Sequence, residues 1–137
     1  MQDPRSVVRR FNREVIEQGN PAAFRTLMAE DFVNHSAPPG APQGPEGMWH
    51  TFEHVLRPAI SGLTVTIEDQ LVEGDKVTTR KTIAGTLSGP LMGVAATNGP
   101  IRIDVIDIVR VRDGRYAEHW GLNSLPAVLA QLRAGAA

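Results

Sequence analysis

An α+β domain is predicted for this 137-residue chain, and three observations predict it. Apolar residues recur at the helical period through the N-terminal part, then switch to alternation from Leu63 onward. The strongest alternating run, Ile101 to Val111, is followed by Asp113-Gly114, a hairpin turn pair, and then by a second run. The bulk composition, 42% hydrophobic and 21% charged, is that of an ordinary globular domain. Helices followed by a meander of antiparallel strands imply one α+β domain over residues 1–137. A chain this long buries roughly two-thirds of the surface of its unfolded form, enough for a core without staples.

In chain order, Asp3 can cap a first helix, Pro4 suits its first position, and Val7, Val8, Phe11, Val15 and Ile16 form its apolar stripe. Gly19 and Asn20 end it. Pro21 opens a second helix in which Phe24, Leu27 and Met28 share a face. A brief extended piece, residues 32–35, precedes the loop SAPPGAPQGPEG, too rich in Pro and Gly for regular structure. A third helix starts near Pro45, with Met48, Phe52, Val55 or Leu56, and Ala59 at core-facing spacing, and Pro58 near its end. Leu63, Val65, Ile67 and Leu71 then mark the buried side of a strand. Glu73-Gly74-Asp75 turns into a second strand over 77–86. LSGPLMGVAATNGP is a loop region, the 101–111 strand and its return over 116–122 follow, and a short helix near 126–133 turns Val128, Leu129 and Leu132 inward.

Lys and Arg number 14 against 15 Asp and Glu, so the net charge is −1 and there is no basic face for nucleic acid and no polybasic signal for a membrane surface. The chain has no cysteine, which excludes disulfides and thiolate chemistry. MQDPRSVVRRF lacks a signal-peptide apolar stretch and no segment has the length of a membrane span, so a cytoplasmic location is expected.

On the 101–111 strand the odd positions are Ile101, Ile103, Val105, Asp107, Val109 and Val111, an aliphatic face interrupted by one carboxyl group. Such a group must be paired, hydrogen-bonded or held neutral. Burial is expected to raise its pKa toward neutrality, where it can accept and donate a proton. Simple two-residue-turn pairing sets residue 107 opposite residue 120, while a bulge would shift the register by one, so either His119 or Trp120 shares the cavity face with Asp107.

Asn34 and His35 follow a short apolar strand and can reach a pocket mouth. Arg80, on the second strand, either pairs with a carboxylate inside or is solvated. His50 and His54 are one helical turn apart, but no HExxH glutamate or third ligand accompanies them, so solvated helix surface is expected and no metal. Gly85, Gly89 and Gly93 lack the Lys-Ser/Thr of a phosphate loop.

The order of DFVNH (31–35), the loop ending GPEG, GTLSGPLMG (85–93), IDIVRVRDGRYAEHW (106–120) and LAQL (129–132) resembles the SnoaL-like polyketide cyclases of the nuclear-transport-factor-2-like superfamily. The resemblance implies a cone-shaped barrel of a mainly antiparallel sheet, helices on its concave side, a deep apolar pocket, a homodimer, and ring closure by an intramolecular aldol reaction without cofactor. It implies pocket positions at Asn34, His35, Asp107 and His119. Asp107 and His119 are taken as the catalytic pair, and Asn34, His35, Trp49, Phe52, Arg80 and Trp120 as the substrate-binding set. The family commonly carries Asp at the first or fourth position after E-H-W, where this chain has Gly121 and Ser124.

Two functions from different classes follow. One is a cofactor-independent enzyme for an apolar, oxygenated small molecule, with Asp107 as acid/base and His119 assisting in cyclisation, isomerisation or dehydration. Epoxide opening by Asp107 with Arg80 is a variant of it. The other is a binding protein that retains the pocket without the chemistry, as Gly121 and Ser124 suggest. An interaction module is supported only by Ile106 and Ile108 on the outward side of their strand.

Overall fold

The computed structural model describes residues 3–135. Asp3 caps helix α1 (Pro4–Arg10), its carboxylate accepting from the Arg5 N–H at 2.9 Å, and the chain continues helically through π-type turns at Phe11–Glu17. Carbonyls at that end accept from the Arg57 guanidinium, at 2.8 Å for Val15 and 2.9 Å for Ile16. Asn20 caps α2 (Pro21–Leu27) through the N–H groups of Ala22 and Ala23. Strand β1 (Met28–Asn34) follows directly. Helix α3 (Pro45–His50) continues in π-type turns over Thr51–Leu56 and ends in the short α4 (Arg57–Ala59), where Pro58 precedes the change to strand. Then come β2 (Ile60–Glu73), β3 (Lys76–Leu87), β4 (Pro100–Arg112), β5 (Arg115–Asn123) and α5 (Leu125–Gly135).

The five strands form one sheet in the order β1-β5-β4-β3-β2. All pairings are antiparallel except β1 with β5, which is parallel, so the sheet is mixed and does not close on itself. Helices α1 and α2 cover one face. The stripe of Val7, Val8, Phe11, Val15 and Ile16, on α1 and its continuation, packs with Ala23 and Leu27 of α2 and with Val77, Val109, Val111 and Tyr116. A second cluster joins Leu56, Ala59 and Ile60 to Ile83, Ile101, Ile103 and Leu129 of α5, and takes in Leu91 and Val94 from the 88–99 loop.

Two sequence expectations change. Met28, in phase with the apolar face of the second helix, is instead the first residue of β1, with extended dihedrals, because pairing with Tyr116 of β5 takes over there. Leu71 is 70% exposed rather than buried. A bulge between Ile67 and Asp69 inverts the alternation of β2, so that Gln70 and Val72 take the inward side.

Phe11 joins helix to sheet. It is fully buried and stacks on Tyr116 with ring centroids 4.0 Å apart. Phe11→Ala is expected to destabilise the fold by about 3–5 kcal/mol in urea unfolding. A loss near zero would mean this contact does not anchor α1 to the sheet.

Candidate active site

Asp113 and Gly114 both have positive φ, 54° and 74°, the conformation of a two-residue I′ hairpin turn. Beyond it the register slips by one: Val111 pairs with Tyr116, but Arg110 pairs with Glu118. The bulge decides what alternation left open. His119 comes opposite Val109, and Trp120 opposite Ile108 on the outer face. Gly121 lies directly opposite Asp107. Thr79 flanks Asp107 on its other side, and Lys81, two residues further along β3, is diagonal to it.

Between this part of the sheet and the α3 segment lies a cavity of about 310 Å³. Met48, Phe52, Val55, Ile83 and Val105 supply apolar wall, and Asn34, Lys81, Asp107 and His119 supply the polar end. This combination of apolar walls and a few convergent polar groups suits a small-molecule site. The side chains of Lys81 and Asp107 are only 5% and 6% exposed. Asp107 Oδ2 is 3.4 Å from Lys81 Nζ and 3.3 Å from His119 Nε2. Its other oxygen, Oδ1, is buried and accepts no hydrogen bond from any described residue. Lys81 Nζ also donates to Asn12 Oδ1 at 2.7 Å, and Asn12 Nδ2 donates to the Val8 carbonyl at 2.8 Å, so the π-type turns that continue α1 hold the lysine in place. His119 Nδ1 is 2.9 Å from Asn34 Oδ1, which also accepts from the Ser36 N–H at 3.0 Å.

The segment that carries Asn34 is stitched to β5. The His35 N–H donates to the His119 carbonyl at 2.8 Å, and Ser36 Oγ accepts from the Gly121 N–H at 2.7 Å. Gly121 is required by space: a Cβ there would lie 2.9 Å from His119 Cε1 and 3.3 Å from Asp107 Cβ.

Burial by itself raises the Asp107 pKa, as the sequence led one to expect, but the net direction is the reverse. The Lys81 charge and the His119 hydrogen bond outweigh desolvation and hold the carboxyl below its ordinary 3.8. Tyr116, fully buried near Asp107, is pushed well above 10.0 by desolvation and by that carboxylate, so its phenol stays neutral.

Of the residues expected at the site, Asp107, His119, Asn34 and Phe52 line the cavity. Four do not. His35 turns away to bond Glu118 Oε2 at 2.8 Å and to stack on Trp120, ring centroids 4.8 Å apart. Glu118 lies below the ordinary carboxylate range because His35 and Arg110 donate to it. Trp120 belongs to the outer face with Ile108. Trp49 packs against Phe24 and beneath the Arg57 guanidinium. Arg80 lies exposed on the outer face, bonded to Asp69 at 2.7 Å, so it is not available to act with Asp107. A larger, more open hollow of about 740 Å³ on that outer side takes in Arg80, Ile106, Trp120 and Leu122. His50 and His54 are both exposed.

Sequence reasoning missed Lys81 and Asn12. The signal for Lys81 was present in the alternation of Val77, Thr79, Lys81 and Ile83, the same phase as the core; Arg80 drew attention to the wrong neighbour. Asn12 lies on the buried side of the first helix beside Val8, where only its partner on β3 reveals its role.

The family model for SnoaL-like polyketide cyclases matches residues 6–132. The chain belongs to this family. Among solved structures, this SnoaL-like chain is similar to IdmH from Streptomyces antibioticus, a candidate polyketide cyclase, with 31% identity and a TM-score of 0.83 over 96% of this chain and 99% of that one. TsrD from Streptomyces laurentii is 26% identical with a TM-score of 0.81, over 93% of this chain and 92% of that one. A candidate polyketide cyclase from Bacillus cereus ATCC 10987 is 31% identical with a TM-score of 0.77, over 93% and 78%. No curated protein matches the chain. Among the described residues no helix is long and apolar enough to cross a membrane.

Two predictions follow from the geometry. Gly121→Ala is expected to force the His119 ring aside, read as a shift of its imidazole resonances in NMR with the fold retained; unchanged resonances would deny the crowding. The second concerns acid. Because the folded pKa of Asp107 lies below its unfolded value of 3.8, its stabilisation is complete above that value and is lost as pH falls through the folded one. Wild-type Tm is therefore expected to fall more steeply below pH 3.8 than the Tm of Asp107→Asn. Parallel curves would show that Asp107 lends no charge-dependent stability.

Proposed function

We propose that this SnoaL-like protein is a cofactor-independent enzyme that transfers a proton on a small, mostly apolar, oxygenated substrate, with Asp107 as base and His119 as its partner. One observation carries the reading: Asp107 is held through Oδ2 by Lys81 and His119 at the polar end of an otherwise apolar cavity. A fixed carboxylate lining such a cavity is suited to take a proton from a carbon next to a carbonyl.

The direction of the Asp107 shift narrows the substrate. A carboxylate held below its ordinary pKa is ionised at neutral pH but is a weak base. Its matching C–H is an acidic one, such as the carbon between two carbonyl groups. The Asp107 carboxylate takes that proton, the enolate carbon attacks a second carbonyl of the same molecule, and the resulting alkoxide is protonated from His119 or from the Asp107 acid just formed. One C–C bond forms, the proton is returned, and nothing is oxidised or reduced. Cavity walls such as Phe52, Val55 and Ile83 hold the chain of the substrate folded for that step. The similarity to the candidate cyclase IdmH supports this choice among proton-transfer reactions. The exposed Ile106 and Leu122 of the outer sheet face, 54% and 83% accessible, support pairing of two copies through that face.

The test is turnover of β-dicarbonyl polyketide-type compounds followed by mass spectrometry, with ligand binding followed by thermal shift. Asp107→Asn is expected to lose roughly 10²–10⁴-fold in rate while still binding. Undiminished turnover in that variant would remove Asp107 from the chemistry. Binding without product in the wild type would instead favour a ligand-binding protein, the reading to which Gly121 and Ser124 point.

A further inference from the structure

Residues 91–94 of the 88–99 loop form a tight turn of the same kind as the one at Asp113-Gly114. Leu91 and Val94 exchange two backbone hydrogen bonds, each 2.8 Å, around Met92 and Gly93, whose φ angles are 48° and 85°. Such a turn calls for Asn, Asp or Gly at its first central position, because a larger side chain crowds the backbone at positive φ. Asp113 meets that demand in the other turn. Among the described residues, Asn98, Asp113 and Met92 are the non-glycine residues with positive φ, and only Met92 is of a type that the conformation disfavours.

The turn is firmly held. Leu91 and Val94 are buried in the core cluster of Ile101, Ile103 and Leu129, and Arg133, one turn beyond Leu129 on α5, donates to the Met92 carbonyl at 3.1 Å. The Met92 side chain is 57% exposed, so packing within the chain does not account for a methionine at this position. What it does reach is the cavity. The other exposed residues that line the cavity are Ser36, Pro38, Thr51 and Asn123, so Met92 is the one large apolar side chain on the rim. Along β4 the cavity runs from Ile103 through Val105 to Asp107. Met92, on the loop that leads into β4 and packs with Ile103, stands at the opposite end from Asp107. Four residues of strand separate the two ends by roughly 13 Å.

We infer that Met92 is a specificity-determining residue: its side chain meets the end of the substrate remote from Asp107, and the cavity takes an elongated molecule with its carbonyl groups inside and an aryl or alkyl end at the rim. This rests on the reading of the cavity as the substrate site and not on the proton-transfer step. An unbranched thioether adapts to a flat ring or an alkyl chain, which suits Met to that contact. The buried anchors on either side of the turn fix where the contact is made.

Met92→Asn tests this, because Asn is at home at positive φ and lacks the apolar tip. Its Tm is expected to be no lower than that of the wild type. Calorimetric titration of the full chain uses benzoylacetone and its para-phenyl derivative, which is longer by one ring. Met92→Asn is expected to weaken the longer compound about three- to tenfold and the shorter one by less than about twofold. Met92→Gly, equally suited to the turn, is expected to show the same pattern and decides the matter where the Asn variant fails to fold. Equal effects on the two compounds, no effect on either, or a Tm lowered in both variants would overturn the inference. So would a wild type that binds neither compound, and that result would also remove the cavity as the substrate site. A Met92 effect confined to the longer compound, in a protein whose Asp107→Asn variant keeps full turnover, would leave this inference standing and remove only the catalytic role of Asp107.

Discussion

A carboxylate on an otherwise aliphatic strand face has to be matched by positive charge, and the arrangement of this protein around Asp107 follows from that requirement. Lys81 and His119 meet the same oxygen from diagonal positions on the two neighbouring strands, and their attraction exceeds the desolvation cost of burying the acid. Leaving one member of such a set unpaired costs about 3–5 kcal/mol, so the three residues constrain each other and the strands that bear them.

Other parts of the fold serve this set from a distance. Helix α1 and its π-type continuation do more than cover the sheet: Asn12, among Val8, Phe11 and Val15, fixes Lys81 Nζ. The edge strand β1 runs parallel to β5 so that Asn34 falls opposite His119, and the Ser36 N–H sets the amide that orients the imidazole. Outside the cavity His35 bonds Glu118, which Arg110 also holds, and this pins the end of β1 to β5 from the other face. Gly121 leaves the space in which His119 and Asp107 meet. The carboxylate of this chain reaches the cavity from β4.

The fold is shared with structures such as IdmH and TsrD, but what the site can do depends on side chains that the fold does not dictate. Here those side chains place a carboxylate, held below its ordinary pKa by Lys81 and His119, at the polar end of a mostly apolar cavity.

The sequence by itself determined the local pieces. Asp3, Pro4, Asn20 and Pro21 carry their capping chemistry in their own atoms; Asp113-Gly114 dictates a tight turn; and the alternation of Ile101 through Val111 is enough to put Asp107 on the inner face. Everything that depended on how one strand lies beside another was decided by the tertiary structure. A side-chain period of two makes a one-residue bulge invisible along the strand, so alternation could not choose between His119 and Trp120, nor see that Leu71 turns outward. The sign of the Asp107 shift was beyond the sequence for the same reason: burial could be read from its own strand, but the opposing charge comes from Lys81, 26 residues earlier in the chain and beside it only once β3 and β4 pair.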